Sequence, residues 1–193
     1  MPRQQRVLAF HPSQRPGPLE VNSRNSLADP MAQFALRPIG VVHRDATDEQ
    51  VREEEPDLES VVEIYPEFRD GIAGLEGYSH LFVFGYFNKL RPEQIGPLRV
   101  RPRRLLRFGL KEEELPVVGV FSLGSPTRPN PVGLSLARLV RIEEGRNLVV
   151  RDLEYFDGTP VVDIKPYLSA YRTDEFQVPG WYAELASKAG VQP

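Results

Sequence analysis

The chain of 193 residues contains no cysteine and only three histidines. The missing cysteine excludes disulfide bonds, thiolate zinc sites, iron–sulfur clusters and cysteine nucleophiles. The histidines, His11, His43 and His80, lie far apart and form no HExxH-type pair, so we expect no metal site. His80 opens a hydrophobic run, which is more typical of a packing residue than of a catalytic base.

Long apolar runs are also missing. No stretch approaches the roughly 18 residues that a membrane-spanning helix needs, and the apolar run near the N-terminus is too short for a secretory signal. The sequence therefore favours a cytoplasmic protein without membrane contact.

Charge is nearly balanced overall but unevenly distributed. The formal net charge is −3, which argues against a surface devoted wholly to nucleic acid. Acidic residues dominate between Asp45 and Glu76. The segment RVRPRRLLRFG carries the arginines Arg99, Arg101, Arg103, Arg104 and Arg107. Such a cluster can bind phosphates bidentately, but a solvated loop that balances the acidic segment fits the sequence equally well.

Composition divides the chain into three regions. Residues 1–32 are rich in Pro, Arg, Gln, Ser and Asn and show no periodicity, which predicts a flexible tail. Over 33–172, short runs rich in Val, Ile, Phe and Tyr alternate with turn residues. The segment 173–193 is predicted to be a helical extension, with a helix that ends at Gly190. Many strands with little helix predict a mainly β domain, a barrel or sandwich with mostly antiparallel pairing.

One hairpin can be placed from the sequence, and one type of cofactor site can be excluded. The β runs 136–142 and 148–153 are joined by the turn residues EEGRN. Gly119 and Gly124 have the wrong spacing, and the wrong proline-interrupted context, for a dinucleotide-binding turn. A nucleotide-like cofactor would therefore need an architecture other than the Rossmann fold.

The first segment suited to binding is FSLGSPTRPNPVGLS, residues 121–135. Its three prolines fix their own φ angles and hold the residues before them extended. Such a stiff loop loses less entropy when Arg128 or Asn130 contacts a ligand. Gly133 permits close backbone approach, and Leu134 begins a strand. The alternative interpretation is a surface turn whose prolines merely end a strand.

The second segment is YFDGTPVVDIKPYLSAY, residues 155–171. Asp157 and Gly158 are typical turn residues. Asp163 and Lys165 are two residues apart, so on a strand they share a face. The two charges are either a structural ion pair or part of a cradle for an amphiphilic ligand.

GVFSLGSPTRPNPVGLS and DGTPVVDIKPY together resemble the signature pair of the TrmO family. This family comprises S-adenosylmethionine-dependent methyltransferases that act on N6 of a modified adenosine at position 37 of certain tRNAs. RPIGVV and GLEGYSHLFVF are similar to two further shared segments, in the same order. The resemblance covers residues 37–171. It implies a single antiparallel β-barrel with a few short helices, a homodimer with the cofactor near its interface, and a tRNA anticodon loop as partner.

The resemblance also implies which residues fill each role. Cofactor contacts carry over to Asn88, Lys89, Leu134, Asp163, Ile164, Lys165 and Pro166, with Arg128 and Tyr167 as pocket residues. Asp157 and Asp163 are the candidates for accepting a hydrogen from the adenine amine. Tyr155, Tyr167 and the arginine cluster would contact the unpaired loop bases.

Two positions depart from the family pattern. Gly124 stands where the family usually has an arginine, and a lost charge-assisted contact of that kind costs about 1.5–3 kcal/mol when buried. After RPIGVVH, many relatives carry PRQ, whereas this chain has the acidic segment VREEEPDLES, which would repel phosphate. The alternatives are therefore a non-catalytic barrel that binds S-adenosylmethionine or RNA, and a methyltransferase of small molecules.

Overall fold

Six antiparallel strands close into a barrel in a computed structural model that describes residues 35–52 and 58–192. The strands are β1 (Gly40–His43), β2 (Ser60–Ile64), β3 (His80–Tyr86), β6 (Val132–Glu143), β7 (Asn147–Arg151) and β8 (Pro160–Pro166). Their spatial order is β1-β2-β7-β6-β3-β8, and β8 pairs with β1 to close the ring. The predicted mainly β fold with a single antiparallel barrel is confirmed. The predicted tail 1–32 lies outside the described residues.

The remaining elements are short. β4 (Arg99–Val100) and β5 (Val118–Gly119) pair only with each other, and the α-helices are α1 (Asp48–Arg52) and α2 (Gly180–Ala189). The segment PVVGVFS contributes only the short strand β5 and then turns into a 3₁₀ helix, Val120–Ser122. Its partner is β4 rather than a barrel strand, so it leaves the barrel. After Arg91 the chain forms a single 3₁₀ turn, Pro92–Gln94.

Alternating burial along the strands defines the barrel core. In β2, Val62 and Ile64 point inward and are almost fully buried, and Val42, Leu81, Val83, Leu148, Val150 and Val161 do the same on their strands. Full burial of such a side chain contributes about 1.5–3 kcal/mol. The alternation follows from the two-residue period of a β-strand, which leaves every second residue on the outside.

Tyr155 fills the barrel between two glycines. Its hydroxyl donates to the Val83 carbonyl oxygen at 2.8 Å and accepts a hydrogen bond from the Gly85 N–H at 3.1 Å. Gly85 pairs with Gly133 across β3 and β6. A Cβ at Gly85 would lie 2.7 Å from the Tyr155 ring, and one at Gly133 would lie 2.9 Å from it. Both positions therefore require glycine for the ring to pack.

The two ends of the barrel carry different loops. At one end of the barrel, which we call the loop end, β1, β3 and β7 finish and β2, β6 and β8 begin, and the connections 87–131 and 152–159 start and finish there. The opposite end has the connection 65–79, the tight turn 144–146 and the exit of β8. Both segments singled out from the sequence thus begin at the loop end, on a rigid scaffold.

A second, smaller core lies outside the barrel. Leu185 of α2 is buried with Leu105, Leu110 and Leu115 of the insertion between β3 and β6, and Trp181 packs against them. Gly190, with φ of +68°, ends α2 in a left-handed conformation, as its position in the sequence predicts. Within the described ranges, no helix is long and apolar enough to cross a membrane.

Candidate functional site

Three adjacent strands, β6, β3 and β8, place the main candidate residues on the outer surface of the barrel. Phe84 of β3 pairs with Leu134 of β6 on one side and with Asp163 of β8 on the other. Two residues earlier in β3, on the same face, Phe82 pairs with Leu136 and with Lys165. Directly paired residues hold their Cβ atoms about 4.5–5.5 Å apart. These six residues form two adjacent rows that we call the outer face.

Apolar exposure distinguishes the outer face. Leu134 is 58% exposed and Leu136 is 42% exposed, although both lie in the middle of a sheet. Their neighbours in the chain, Gly133, Ser135 and Ala137, are buried because they point into the barrel. Leu134 is thus free to contact a ligand, as the family resemblance implies.

Asp163 and Lys165 border the apolar part of this face. Lys165 Nζ lies 3.8 Å from Asp163 Oδ2 and 5.7 Å from the centre of the Phe84 ring. Asp163 Oδ1 also accepts a hydrogen bond from the Ile164 N–H at 2.9 Å. Both charged side chains are more than half exposed, so their mutual attraction contributes at most about 1 kcal/mol. The ion pair is therefore loose enough for either group to turn to a ligand.

Two other residues of DIKPY have a different placement. Ile164 pairs with Val83 and packs its partly buried side chain against the barrel core. Pro166 pairs with Leu81 at the end of β8. A ligand on the outer face would reach the side chains of Asp163 and Lys165 more directly than that of Ile164.

Asn88 and Lys89 lie at the loop end beside the DGTP turn. Asn88 Nδ2 donates to the Gly158 carbonyl oxygen at 3.1 Å. Lys89 Nζ lies 2.7 Å from Asp48 Oδ1 of α1 and 5.3 Å from the centre of the Phe156 ring. The chain therefore gathers these two predicted cofactor residues and the 156–158 turn into one cluster.

Asp157 holds the same turn to the end of β1. Its Oδ1 accepts a hydrogen bond from the Arg44 N–H at 2.9 Å, and the Gly158 N–H donates to the Val42 carbonyl oxygen. The Arg44 side chain donates to Ser60 Oγ at 2.6 Å and to the Leu153 carbonyl oxygen at 2.5 Å, and burial lowers its pKa. Asp157 is exposed and helps to fix the turn, whatever else it contacts.

The proline-rich loop joins this end of the barrel. The Phe87 N–H donates to the Pro131 carbonyl oxygen at 2.8 Å, which ties the loop to the exit of β3. The Arg128 guanidinium lies 5.9 Å from the centre of the Phe121 ring, which is 76% exposed. Gly124 is exposed, and a Cβ there would meet nothing within 4 Å. An arginine would therefore fit at this position without steric conflict.

Tyr167 lies far from Asn88 and Lys89. Its N–H donates to the His80 carbonyl oxygen at 3.0 Å, at the end of the barrel opposite the loop end. Its ring is 5.5 Å from that of Phe82 and 6.3 Å from that of Tyr171, centre to centre. Because β3 rises about 3.4 Å per residue over His80–Tyr86, the two groups are separated by about 20 Å.

Two expectations about RNA contacts change. Tyr155 is only 2% exposed, and burial raises the pKa of its hydroxyl, so the prediction that it stacks on a base is wrong. Within the arginine cluster, Arg101 donates to the Leu115 carbonyl oxygen, Arg103 pairs with Glu112 at 2.9 Å, and Arg104 lies 3.5 Å from Glu154. Arg103 and Arg104 are thus partly neutralised by Glu112 and Glu154.

Sequence reasoning missed several aromatic neighbours of the site. Phe82, Phe84 and Tyr171 were not singled out, although every second residue of HLFVFGY faces outward. For Phe82 and Phe84 the signal is this alternation, which shows two faces but not which of them is outside. Among the described residues, no group of three or more His, Asp or Glu side chains could hold a metal ion.

Comparison with known proteins assigns the family. A sequence model described as the tRNA-methyltransferase O N-terminal domain matches residues 44–173, which is more than half of the chain. This protein belongs to the tRNA-methyltransferase O family. The matched residues leave out β1 but include the other five barrel strands and the outer face. They also include the loop-end cluster, that is, Asn88, Lys89 and the 156–158 turn.

Individual relatives agree with this assignment. A probable S-adenosyl-L-methionine-binding protein of Pyrococcus abyssi is 35% identical over 80% of this chain and 79% of its own length. A tRNA (adenine(37)-N6)-methyltransferase of Mus musculus is 40% identical over 52% of this chain, which corresponds to 21% of the mouse enzyme. A crystal structure of TrmO from Pseudomonas aeruginosa has a TM-score of 0.56 at 26% identity, covering 76% of this chain and 61% of that one. This chain thus spans less than two thirds of that solved relative.

Proposed function

We propose that this protein is an S-adenosylmethionine-dependent methyltransferase that methylates N6 of a modified adenosine at position 37 in a tRNA anticodon loop. The observation that carries the proposal is the outer face, where exposed apolar side chains and two accessible charges lie in two adjacent rows. The family assignment and the name of the mouse relative support the choice of reaction.

The donor set of the outer face fits S-adenosylmethionine. Leu134 and Phe84 offer an apolar surface for an adenine ring. The Asp163 carboxylate can accept hydrogen bonds from ribose hydroxyls, and the Lys165 ammonium can pair with an amino-acid carboxylate. A ligand with one apolar ring and groups of both charges thus finds a partner for each part.

The protein's own contribution to the reaction is positioning. Bound S-adenosylmethionine supplies the electrophilic methyl group. The stiff proline-rich loop and the sheet hold the two reactants in line, and most of the rate enhancement comes from that alignment. The exocyclic amine is a weak nucleophile because its lone pair is delocalised into the ring. Asp157 or Asp163 would accept a hydrogen from it, since both carboxylates are exposed.

We also propose a homodimer that works in the cytoplasm. The loop-end cluster and Tyr167 are about 20 Å apart on one chain, which is too far for a single compact ligand to contact both. A second copy whose loop end approaches the outer face would bring both groups to one cofactor. The exposed apolar residues Leu134 and Leu136 would then be covered.

The first experiment separates binding from transfer. Calorimetry with S-adenosylmethionine tests the cofactor, and no detectable binding would contradict the proposal. Labelled S-adenosylmethionine is then incubated with bulk tRNA, and the tRNA nucleosides are analysed for N6-methylated adenosine. We expect label in that nucleoside, and label in small molecules of a metabolite extract instead would assign a different substrate.

The second candidate is a barrel that binds S-adenosylmethionine without transferring its methyl group. The name of the Pyrococcus abyssi relative favours it, since that name specifies binding only, and so does Gly124 in place of the family's arginine. Binding in calorimetry together with no label in tRNA would support this candidate.

A further inference from the structure

We propose that Phe82, Tyr167 and Tyr171 form an aromatic cage for a methylated cation, and that this cation is the sulfonium group of S-adenosylmethionine. The choice of the sulfonium rests on the proposed function, which takes this compound as the methyl donor. The cage itself follows from the geometry of the three rings, at the end of the outer face away from the loop end.

The three rings lie close together on the outside of the barrel. The centre of the Phe82 ring is 5.5 Å from that of Tyr167 and 5.1 Å from that of Tyr171, and the planes meet at 65° and 86°. The two tyrosine rings are inclined to each other by only 38°, with their centres 6.3 Å apart. Phe82 therefore stands across two rings that are more nearly parallel, which is the arrangement of a floor and two walls.

Regular backbone structure holds each ring in place. Phe82 belongs to β3, which is paired on both sides within the barrel. Tyr167 directly follows β8, and its N–H donates to the His80 carbonyl oxygen at 3.0 Å. Tyr171 ends the 3₁₀ turn Ser169–Tyr171. The cage is thus formed by the protein before a ligand binds, which reduces the entropy lost on binding.

The cage is accessible and has the chemistry to bind an onium group. Tyr171 is 52% exposed, and Phe82 and Tyr167 are half-buried. The face of an aromatic ring is negative and attracts cations, and cages of several rings recognise quaternary ammonium groups. A sulfonium belongs to the same chemical class, because it carries a full positive charge and no N–H or O–H donor. Aromatic faces therefore suit it better than hydrogen-bond acceptors do.

The cage lies where the proposed binding of the cofactor places the sulfur. Phe82 pairs with Lys165, the partner proposed for the amino-acid carboxylate, and the next row of the face contains Asp163, the partner proposed for the ribose. In S-adenosylmethionine the sulfur lies between the ribose and the amino-acid group, so it falls beside Phe82. The Lys165 ammonium repels a sulfonium, but Asp163 at 3.8 Å and the bound carboxylate offset that charge.

Such a cage distinguishes the cofactor from its product. Methyl transfer breaks the bond between the sulfur and the methyl carbon and leaves the electron pair on the sulfur. The product, S-adenosylhomocysteine, is therefore a neutral thioether, which keeps the apolar contacts but loses the cation–π attraction. We expect the cage to favour the charged cofactor over the spent one.

The test compares the two compounds by calorimetry on the full chain. Tyr171→Leu removes the ring and keeps an apolar side chain, whereas Tyr171→Phe keeps the ring. We expect Tyr171→Leu to bind S-adenosylmethionine about threefold to tenfold more weakly and S-adenosylhomocysteine less than about twofold more weakly. Tyr171→Phe should bind both compounds as the wild type does. Equal losses for the two compounds, or no loss for either, would overturn the proposal.

The control is Tyr182→Leu. Tyr182 of α2 meets Trp181 at 86° with the ring centres 5.6 Å apart, which is nearly the geometry of Tyr171 on Phe82. Its loss removes a similar aromatic contact outside the barrel sheet, and both affinities should stay at the wild-type values.

Failure of the cage can be told from failure of the proposed function. Methyl transfer to tRNA together with equal losses for the two compounds in Tyr171→Leu refutes the cage alone. If S-adenosylmethionine does not bind at all, trimethylsulfonium is titrated instead, with uncharged tert-butanol for comparison, and the width of the methyl proton signal is followed. Broadening of the trimethylsulfonium signal by the wild type but not by Tyr171→Leu supports the cage and refutes only the proposed cofactor. No broadening refutes both.

Discussion

The inner and outer sides of the same three strands, β6, β3 and β8, differ in how completely their side chains are packed and hydrogen-bonded. Inside, Gly85 and Gly133 leave just enough room for the Tyr155 ring, whose hydroxyl is hydrogen-bonded twice. Outside, Leu134 and Phe84 have a neighbour on the sheet but little cover, and Leu134 is more than half exposed. The inner side is fully packed within one chain, whereas the outer side leaves apolar side chains exposed.

Because of this difference, neighbouring residues of one sequence motif have two different roles. In VGLS, Gly133 and Ser135 point inward and maintain the barrel, while Leu134 points outward and is available for binding. Because successive side chains of a strand point to opposite faces, neighbouring residues of a single signature have unrelated roles. Substitutions at adjacent positions should therefore produce effects of different kinds.

The largest effect is expected from the inner side. Tyr155→Ala removes the ring that fills the barrel and leaves the Gly85 N–H without its partner. We expect a loss of about 3–5 kcal/mol in the free energy of unfolding, which is typical of large core aromatics. For a chain of this size, each kcal/mol lowers Tm by about 2–4 °C, so thermal denaturation followed by circular dichroism measures it.

The matched control is Tyr167→Ala, since Tyr167 lies on the outside with one of its edges toward Phe82. Its stability should change by less than about 1.5 kcal/mol, the contribution of an aromatic pair. If both tyrosine variants lost equal stability, the contrast between a complete inner side and an open outer side would be wrong.

The next effect is on binding rather than on folding. Leu134→Ala should weaken S-adenosylmethionine binding by about 1–2 kcal/mol, because most of an apolar contact is lost. Its Tm should remain within about 2 °C of the wild type, since the side chain is 58% exposed. Calorimetry and thermal denaturation of the same sample measure the two quantities.

Leu98→Ala serves as its control, because Leu98 is equally exposed, at 62%, but lies outside the barrel sheet. It should bind the cofactor normally. Unchanged affinity in Leu134→Ala would mean that the cofactor does not bind at the outer face. The exposed leucines would then have another role.

The sequence predicts much of the barrel but only part of the site. Period-two alternation predicts that Asp163 and Lys165 share a face, and turn residues predict the hairpin of β6 and β7. The sequence does not reveal which side of HLFVFGY is buried, because Leu81 and Val83 are as apolar as Phe82 and Phe84. The burial of Tyr155 depends on glycines in two other strands, and the row of Leu134, Phe84 and Asp163 depends on strand register. Such long-range pairings leave no mark in a local pattern.

A smaller gain of binding is expected at the edge of the site. Gly124→Arg restores the side chain typical of the family, and the backbone there has room for it. We expect S-adenosylmethionine to bind about two- to fivefold more tightly, since an exposed ion pair contributes about 0.5–1 kcal/mol. Gly124→Gln, of similar length without the charge, should leave the affinity measured by calorimetry unchanged. Equal affinities for the arginine variant and the wild type would count against a cofactor site beside this loop.

The smallest effect is expected at the outer surface of β2. That surface is covered by ion pairs, whereas the outer face of β6, β3 and β8 is apolar. Hydrogen bonds from His43, at 2.7 Å, and from Arg146 lower the pKa of Glu63 below its usual value. A carboxylate with a lowered folded-state pKa stabilises the protein above its unfolded pKa, about 4.3, and loses that contribution as pH falls through the folded value. Glu63→Gln should therefore have a lower Tm than the wild type at pH 7, and the difference should shrink as the pH is lowered toward 3.

Glu184→Gln, on the exposed side of α2, should show no such pH-dependent difference. A Tm difference for Glu63→Gln that stays constant with pH would mean that packing, not charge, holds the polar side of the barrel, and the contrast between the two outer surfaces would then be one of shape alone.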